Sequence, residues 1–152
     1  MLQPGDPAPE FTAVDDQGNT VSLSDFRGRT VVLYFYPRDN TPGCTAEACR
    51  FRDRHGELQA AGAVVLGISH DTVASHQRFR NRHALPFRLL SDPDRRIARA
   101  YGVLRGIKLF GPVLAWADRV TFVIGPDGRI RAVIRGIRPD RHPDEALRVL
   151  SG

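Results

Sequence analysis

Val31-Val32-Leu33-Tyr34-Phe35-Tyr36 is an unbroken run of β-branched and aromatic residues that stops at Pro37. A strand with one solvated face alternates apolar and polar residues, and this run does not. Both of its faces must therefore be covered, as in a buried parallel strand of an α/β chain. The next segment is equally constrained. Pro37 ends the strand, Thr41 is a suitable N-cap and Pro42 a suitable first helical residue. The spacing predicts a helix from there to about Ala60, with Gly62 just beyond it.

The same pattern repeats once. Val64-Val65-Leu66-Gly67-Ile68-Ser69 reads as a second buried strand, and Asp71 or Thr72 can cap a helix that ends near Ala84. Ser91 or Asp92 is expected to cap a short helix through Tyr101. Residues 102–118 hold three Gly and one Pro and read as a loop. Val120–Ile124 and Ile130–Ile134 flank Gly125-Pro126-Asp127-Gly128, which predicts an antiparallel hairpin. Pro143 opens a last helix carrying Ala146, Leu147, Val149 and Leu150. The order βαβα followed by ββα is a thioredoxin-like arrangement. At 152 residues the chain fits one α/β domain. The first thirty residues form a front piece in which Val21-Ser22-Leu23 is a candidate strand.

The strand-to-helix turn carries the chemistry. Cys44 and Cys49 are the two cysteines of the chain, and Cys44 falls in the first turn of the expected helix. Backbone N–H groups point outward there and favour a thiolate, so Cys44 can act as a nucleophile. Cys49, one and a half turns later, can trap what Cys44 becomes. Plainer readings exist: two inert buried thiols, or a metal site drawn from Cys44, Cys49 and His55. Zinc prefers tighter pairs such as Cys-x2-Cys, and no fourth ligand is evident. The other histidines (70, 76, 83 and 142) show no metal spacing, and His76 and His83 are expected on a helix surface. No phosphate-binding or dinucleotide fingerprint is present.

The net charge of +5 raises the question of nucleic acid. Its two densest segments, Arg50-Phe51-Arg52-Asp53-Arg54 and Arg78-Phe79-Arg80-Asn81-Arg82, both lie in expected amphipathic helices. They read as solvated arginine faces with Phe51 and Phe79 turned inward, so no nucleic-acid partner is expected. No stretch approaches the roughly 20 apolar residues that span a bilayer. The N-terminus has neither a basic start nor an apolar core, so a cytoplasmic location and no membrane partner are expected.

Pro37-x3-Thr41-x2-Cys44 is similar to the peroxiredoxin active-site pattern, and Cys49 resembles the resolving cysteine of the Q-type branch. The resemblance runs through nearly the whole chain. It includes Gly5–Thr12, Val21–Gly28, Leu85-Pro86-Phe87, Leu90–Asp94, Ala100–Val103 and Arg119–Ile124. It implies a thiol-dependent peroxidase that needs no metal or organic cofactor and acts on hydrogen peroxide and small organic hydroperoxides. Cys44 would be the peroxidatic residue and Cys49 would resolve it within the chain. Thr41 and Arg119 would orient peroxide, with Pro37 shielding the thiolate and Glu47 holding the arginine. The family further implies thioredoxin or a similar dithiol as reductant, and a monomer or weak dimer is expected. Trp116-Ala117-Asp118 ahead of Arg119 departs from the family's commoner segment. The rival within the same fold is a thiol–disulfide oxidoreductase, which usually carries Cys-x-x-Cys rather than a spacing of five. A holdase role is the other alternative, motivated by the arginine segments and the apolar run Leu109–Trp116.

Two thiols in one regular helix at this spacing have Cα atoms ~8.6 Å apart, from ~7.5 Å of rise and ~140° of rotation. A disulfide needs them within about 7 Å. Closing a Cys44–Cys49 bond therefore requires about residues 42–52 to unwind.

Overall fold

Both faces of the Val31–Tyr36 run are covered in the computed structural model, which describes residues 1–108 and 113–152. Val31, Leu33 and Phe35 enter one apolar cluster, with Leu66, Ile68, Tyr101 and Phe122. Val32, Tyr34 and Tyr36 enter a second, with Phe51, Val65, Phe79 and Cys44. The period-two alternation of a strand sends neighbouring residues to opposite sides. A continuous apolar run is thus what two cores require. Fully burying side chains of this size contributes about 1.5–3 kcal/mol each.

The strands are β1 (Thr12–Asp15), β2 (Thr20–Ser22), β3 (Thr30–Phe35), β4 (Ala63–Ser69), β5 (Arg88–Ser91), β6 (Leu104–Lys108), β7 (Val113–Ala117), β8 (Val120–Ile124) and β9 (Ile130–Ile134). The helices are α1 (Pro42–Asp53), α2 (His55–Ala60), α3 (Val73–His83), α4 (Arg96–Ala100) and α5 (His142–Ser151). Seven strands form one mixed sheet in the order β2-β1-β5-β4-β3-β8-β9. β3 pairs parallel with β4, Leu33 opposite Leu66, and antiparallel with β8, Leu33 opposite Phe122. The β8–β9 hairpin expected around Gly125–Gly128 is present. Gly67 faces Tyr34 across the β3–β4 pair. A Cβ at Gly67 would sit 2.7 Å from the tyrosine ring, so only glycine lets Tyr34 lie flat and stack on Phe51.

Four expectations need correction. The helix after Thr41 does not run unbroken to Ala60: it breaks at Arg54, whose φ of −100° and ψ of 5° interrupt the spiral between α1 and α2. Arg54 is drawn sideways onto Asp144 and Glu57, and Gly56 lowers helix propensity just beyond it. The expected loop 102–118 contains an antiparallel pair, β6 with β7, matching Leu104 to Ala117 and Arg105 to Trp116. Its Gly and Pro content concealed two short strands. The run Leu109–Trp116 falls partly outside the described residues, at 109–112. The third correction is α4, which begins at Arg96 rather than at Ser91 or Asp92. The Asp92 carboxylate nevertheless accepts the amides of Ile97 and Ala98 at 3.1 and 2.9 Å, so it serves that helix start from upstream. Last, His76 is fully buried rather than on the α3 surface.

The front piece contributes β1 and β2. β1 pairs antiparallel with β5, two strands too short and too polar to be read from periodicity. No helix among the described residues is long and apolar enough to cross a membrane. In the arginine segments Phe51 and Phe79 are buried as expected, but the arginines are not all solvated: Arg50 and Arg54 pair with Asp144, and Arg80 pairs with the buried Asp16.

Candidate active site

The site begins where β3 stops. Pro37 lacks the N–H a continuing ladder would use, and Asn40 takes a left-handed conformation (φ 68°) that turns the chain back. Thr41 is the N-cap of α1, with Pro42 just inside the helix. The Thr41 hydroxyl accepts the Cys44 amide at 3.4 Å and donates to the Arg38 carbonyl at 3.2 Å. Cys44 lies buried in the first turn, and both Cys44 and Cys49 are free thiols.

Arg119 reaches this turn from the residue ahead of β8, the neighbour of β3 in the sheet. Its Nη2 donates to Cys44 Sγ at 3.4 Å and its Nη1 to Glu47 Oε1 at 2.7 Å. The planar guanidinium thus bridges the thiol and the carboxyl with two nitrogens in a fixed fork. Burial works against the charge of Arg119, but Glu47 and Cys44 outweigh it and hold its pKa above the ordinary value. Glu47 is fully enclosed. Burial pushes its pKa up to about 8, with the charge and hydrogen bond of Arg119 pulling the other way. Four of the six residues singled out in the sequence therefore meet here: Thr41, Cys44, Glu47 and Arg119. Pro37 stands nearby, lining with Thr41, Arg38, His70, Arg95 and Trp116 an open groove of about 510 Å³. Cys49 is not brought to Cys44. It sits half-buried further along α1, its Sγ 3.8 Å from Nδ1 of His83.

Four participants escaped the sequence reading. Gly43 lies under the arginine: a Cβ there would stand 3.1 Å from Arg119 Nη2. His142, at the start of α5, is buried with Nδ1 2.9 Å from the Thr121 hydroxyl and 3.6 Å from Glu47 Oε2. Burial, aided by the nearby Arg119 charge, lowers its pKa to about 4. Asp39 and His76 form a buried pair (Nδ1 to Oδ2, 2.7 Å), and Asp39 also accepts from Tyr36 and Ser75. His76 Nε2 faces the Leu90 carbonyl at 2.9 Å. Both ring nitrogens thus meet acceptors, and the pair staples the Pro37–Thr41 turn to α3 and β5. No local pattern marked them, because the partners that define their roles come from other elements: Asp39 to His76, His142 to Thr121 and to Glu47.

Asp39, Asp71 and His76 are also the one group among the described residues whose potential ligand atoms gather within 4.8 Å. In this structure they are engaged within the protein, with Tyr36, Ser75, Leu90 and the Asp39 amide. Cys44, Cys49 and His55 do not gather in this way.

The AhpC/TSA family model matches residues 4–133. The chain belongs to the AhpC/TSA family. Peroxiredoxin Bcp of Bacillus subtilis is 42% identical over 149 residues, covering 98% of this chain and 95% of that one. The crystal structure of peroxidoxin BcpB from Mycobacterium tuberculosis superposes with a TM-score of 0.92 at 37% identity, covering 99% and 97% of the two chains. The bacterioferritin comigratory protein of Xanthomonas campestris, solved in trapped-intermediate and ligand complexes bearing on alkyl peroxide reduction, gives 0.88 at 31% identity over 99% and 96%. The fold is the thioredoxin-like fold of peroxiredoxins, and this peroxiredoxin is a thiol peroxidase of the Bcp/Q branch.

Proposed function

We propose that this peroxiredoxin reduces hydrogen peroxide and small organic hydroperoxides with Cys44 as peroxidatic nucleophile and Cys49 as resolving thiol. The observation that carries the reading is the Arg119 bridge between Cys44 Sγ and Glu47. Arg119 sets a fixed, positively charged donor beside the reacting sulfur. The Cys44 thiolate attacks one peroxide oxygen, the O–O bond breaks, and the departing alkoxide or hydroxide takes up a proton. Charge builds on the leaving oxygen, so donors fixed in advance lower the barrier. Arg119 and the Thr41 hydroxyl supply those donors, Glu47 keeps the guanidinium aimed, and Pro37 walls the groove. The product on Cys44 is a sulfenic acid.

Cys49 then condenses with it. Both cysteines lie in the uninterrupted helix α1, so the disulfide forms only after local unwinding. An external dithiol such as thioredoxin returns both thiols. The acting species is a monomer or weak dimer in the cytoplasm: large apolar side chains exposed among the described residues are the scattered Met1, Val14 and Ile137. No nucleic acid takes part in this scheme; Arg50, Arg54 and Arg80 of the arginine segments are paired with carboxylates of the chain.

Intact mass after one equivalent of peroxide tests the reading. The expected product is a monomer lighter by two hydrogens. Cys44→Ser should lose turnover altogether, and Cys49→Ser should consume about one peroxide per chain and stall. A dimer-sized mass, or full turnover without Cys49, would sink the intrachain scheme.

A further inference from the structure

Cys49 shares its surroundings with one side chain that the peroxide step does not use. His83, the last residue of α3, brings Nδ1 to 3.8 Å from Cys49 Sγ, and both groups are half-buried. The imidazole also packs against Phe79, whose ring meets it edge-on with centroids 5.0 Å apart. Arg52, three residues after Cys49, donates from Nη1 to the His83 carbonyl at 2.8 Å. That bond ties the later turns of α1 to the end of α3. In the helical state Cys49 is thereby held beside His83.

We propose that His83 is the general base of the resolving step. The proposal rests on Cys49 being the resolving thiol. A thiol is a poor nucleophile until its proton is gone, and a nearby neutral imidazole nitrogen is suited to take it. The charged groups facing the ring are Arg52 from α1 and Arg82 from its own helix; with burial the foremost cause, they lower the His83 pKa below its ordinary 6.5. At neutral pH the ring is thus free to accept. The step balances. Nδ1 takes the proton from Cys49, and the Cys49 sulfur attacks the Cys44 sulfur and forms the S–S bond. The Cys44 S–O bond breaks, and the departing hydroxide leaves as water with the proton His83 held. Cys49 is oxidised and the Cys44 sulfenic acid reduced by the same count of electrons.

The test tracks both reactions in one rapid-mixing experiment: peroxide loss for the first, intact mass of acid-quenched, alkylated chains for disulfide formation. His83→Ala should lower the rate of disulfide formation relative to Cys44 oxidation by about 100-fold, and added imidazole should restore much of it. His83→Gln, which keeps the volume but cannot take a proton, should match His83→Ala without the rescue. In the wild type the resolving rate should fall as pH drops through the histidine range, and that limb should vanish in both variants. Disulfide formation within twofold of wild type in His83→Ala or His83→Gln would overturn the proposal. So would acceleration, which would mean that His83 merely latches the helix shut. If the wild type itself forms no intrachain disulfide, the reading of Cys49 falls and this proposal with it; if it does and the variants keep pace, the His83 proposal falls alone.

Discussion

Gly43 and Glu47 hold Arg119 from two sides, one by leaving room and one by accepting a hydrogen bond. Alanine at position 43 suits a helix better than glycine by at most about 1 kcal/mol, yet its Cβ would press on Nη2 of Arg119. Gly43→Ala should therefore melt at or slightly above the wild-type temperature while kcat/KM for peroxide falls about tenfold, a shift of ~1.4 kcal/mol in the barrier. Equal kcat/KM would mean that the arginine yields the few tenths of an ångström the new Cβ needs without losing its aim. Glu47 acts through charge. With its pKa pushed up to about 8, it is largely neutral at pH 7 and leaves the positive charge of Arg119 to the sulfur and the peroxide. Above that value the carboxylate neutralises the guanidinium. Peroxidase kcat/KM should decline on the alkaline side with an apparent pKa near 8, and Glu47→Gln should remove that limb. Arg119 itself was legible in the sequence because a family places an arginine ahead of such a strand. Gly43 was not, because what occupies the space above it comes from position 119.

Helix α1 is the element on which the proposed cycle turns. Its first turn is built for the peroxide step, capped by Thr41 and anchored through Asp39 and His76 to α3 and β5. Its later turns are tied elsewhere, Arg50 to Asp144 on α5 and Arg52 to the His83 carbonyl on α3. Oxidation to the Cys44–Cys49 disulfide should abolish amide-exchange protection over about residues 42–52 of α1 and leave β3 and β4 unchanged. Protection that persists in the oxidised monomer would contradict the unwinding. The existence of α1 was written in Thr41-Pro42 and in the apolar spacing after it. Its end was not, because the break at Arg54 depends on Asp144, ninety residues on. The β6–β7 pair was missed for a like reason. Strands this short are stabilised by each other, and Gly106 with the Gly and Pro residues flanking the strands read locally as a loop.

The stability of the whole molecule should carry the mark of His142, where α5, α1 and β8 meet. Its folded pKa of about 4 lies below the ordinary 6.5, so between those values the unfolded chain binds more protons. Stability from this group is complete above pH 6.5 and is lost as pH falls toward 4, on the order of 3 kcal/mol. Glu47, raised rather than lowered, works in the opposite sense between 4.5 and about 8. The informative quantity is therefore the difference between wild type and His142→Asn in denaturant unfolding from pH 4 to 7: it should widen with pH, and a constant gap would contradict the assignment. The sequence by itself determined the doubly buried strand, the strand–turn–helix that presents Cys44, and the spacing that denies Cys49 a direct bond to it. These are local matters of periodicity, capping and helix geometry. Tertiary structure alone decided the rest of the surroundings: Gly43 under Arg119, His142 beside Glu47, the Asp39–His76 staple and His83 beside Cys49. Each pairs positions far apart in the chain, and only the sheet order and the packing of α1 between α3 and α5 bring them within hydrogen-bonding reach.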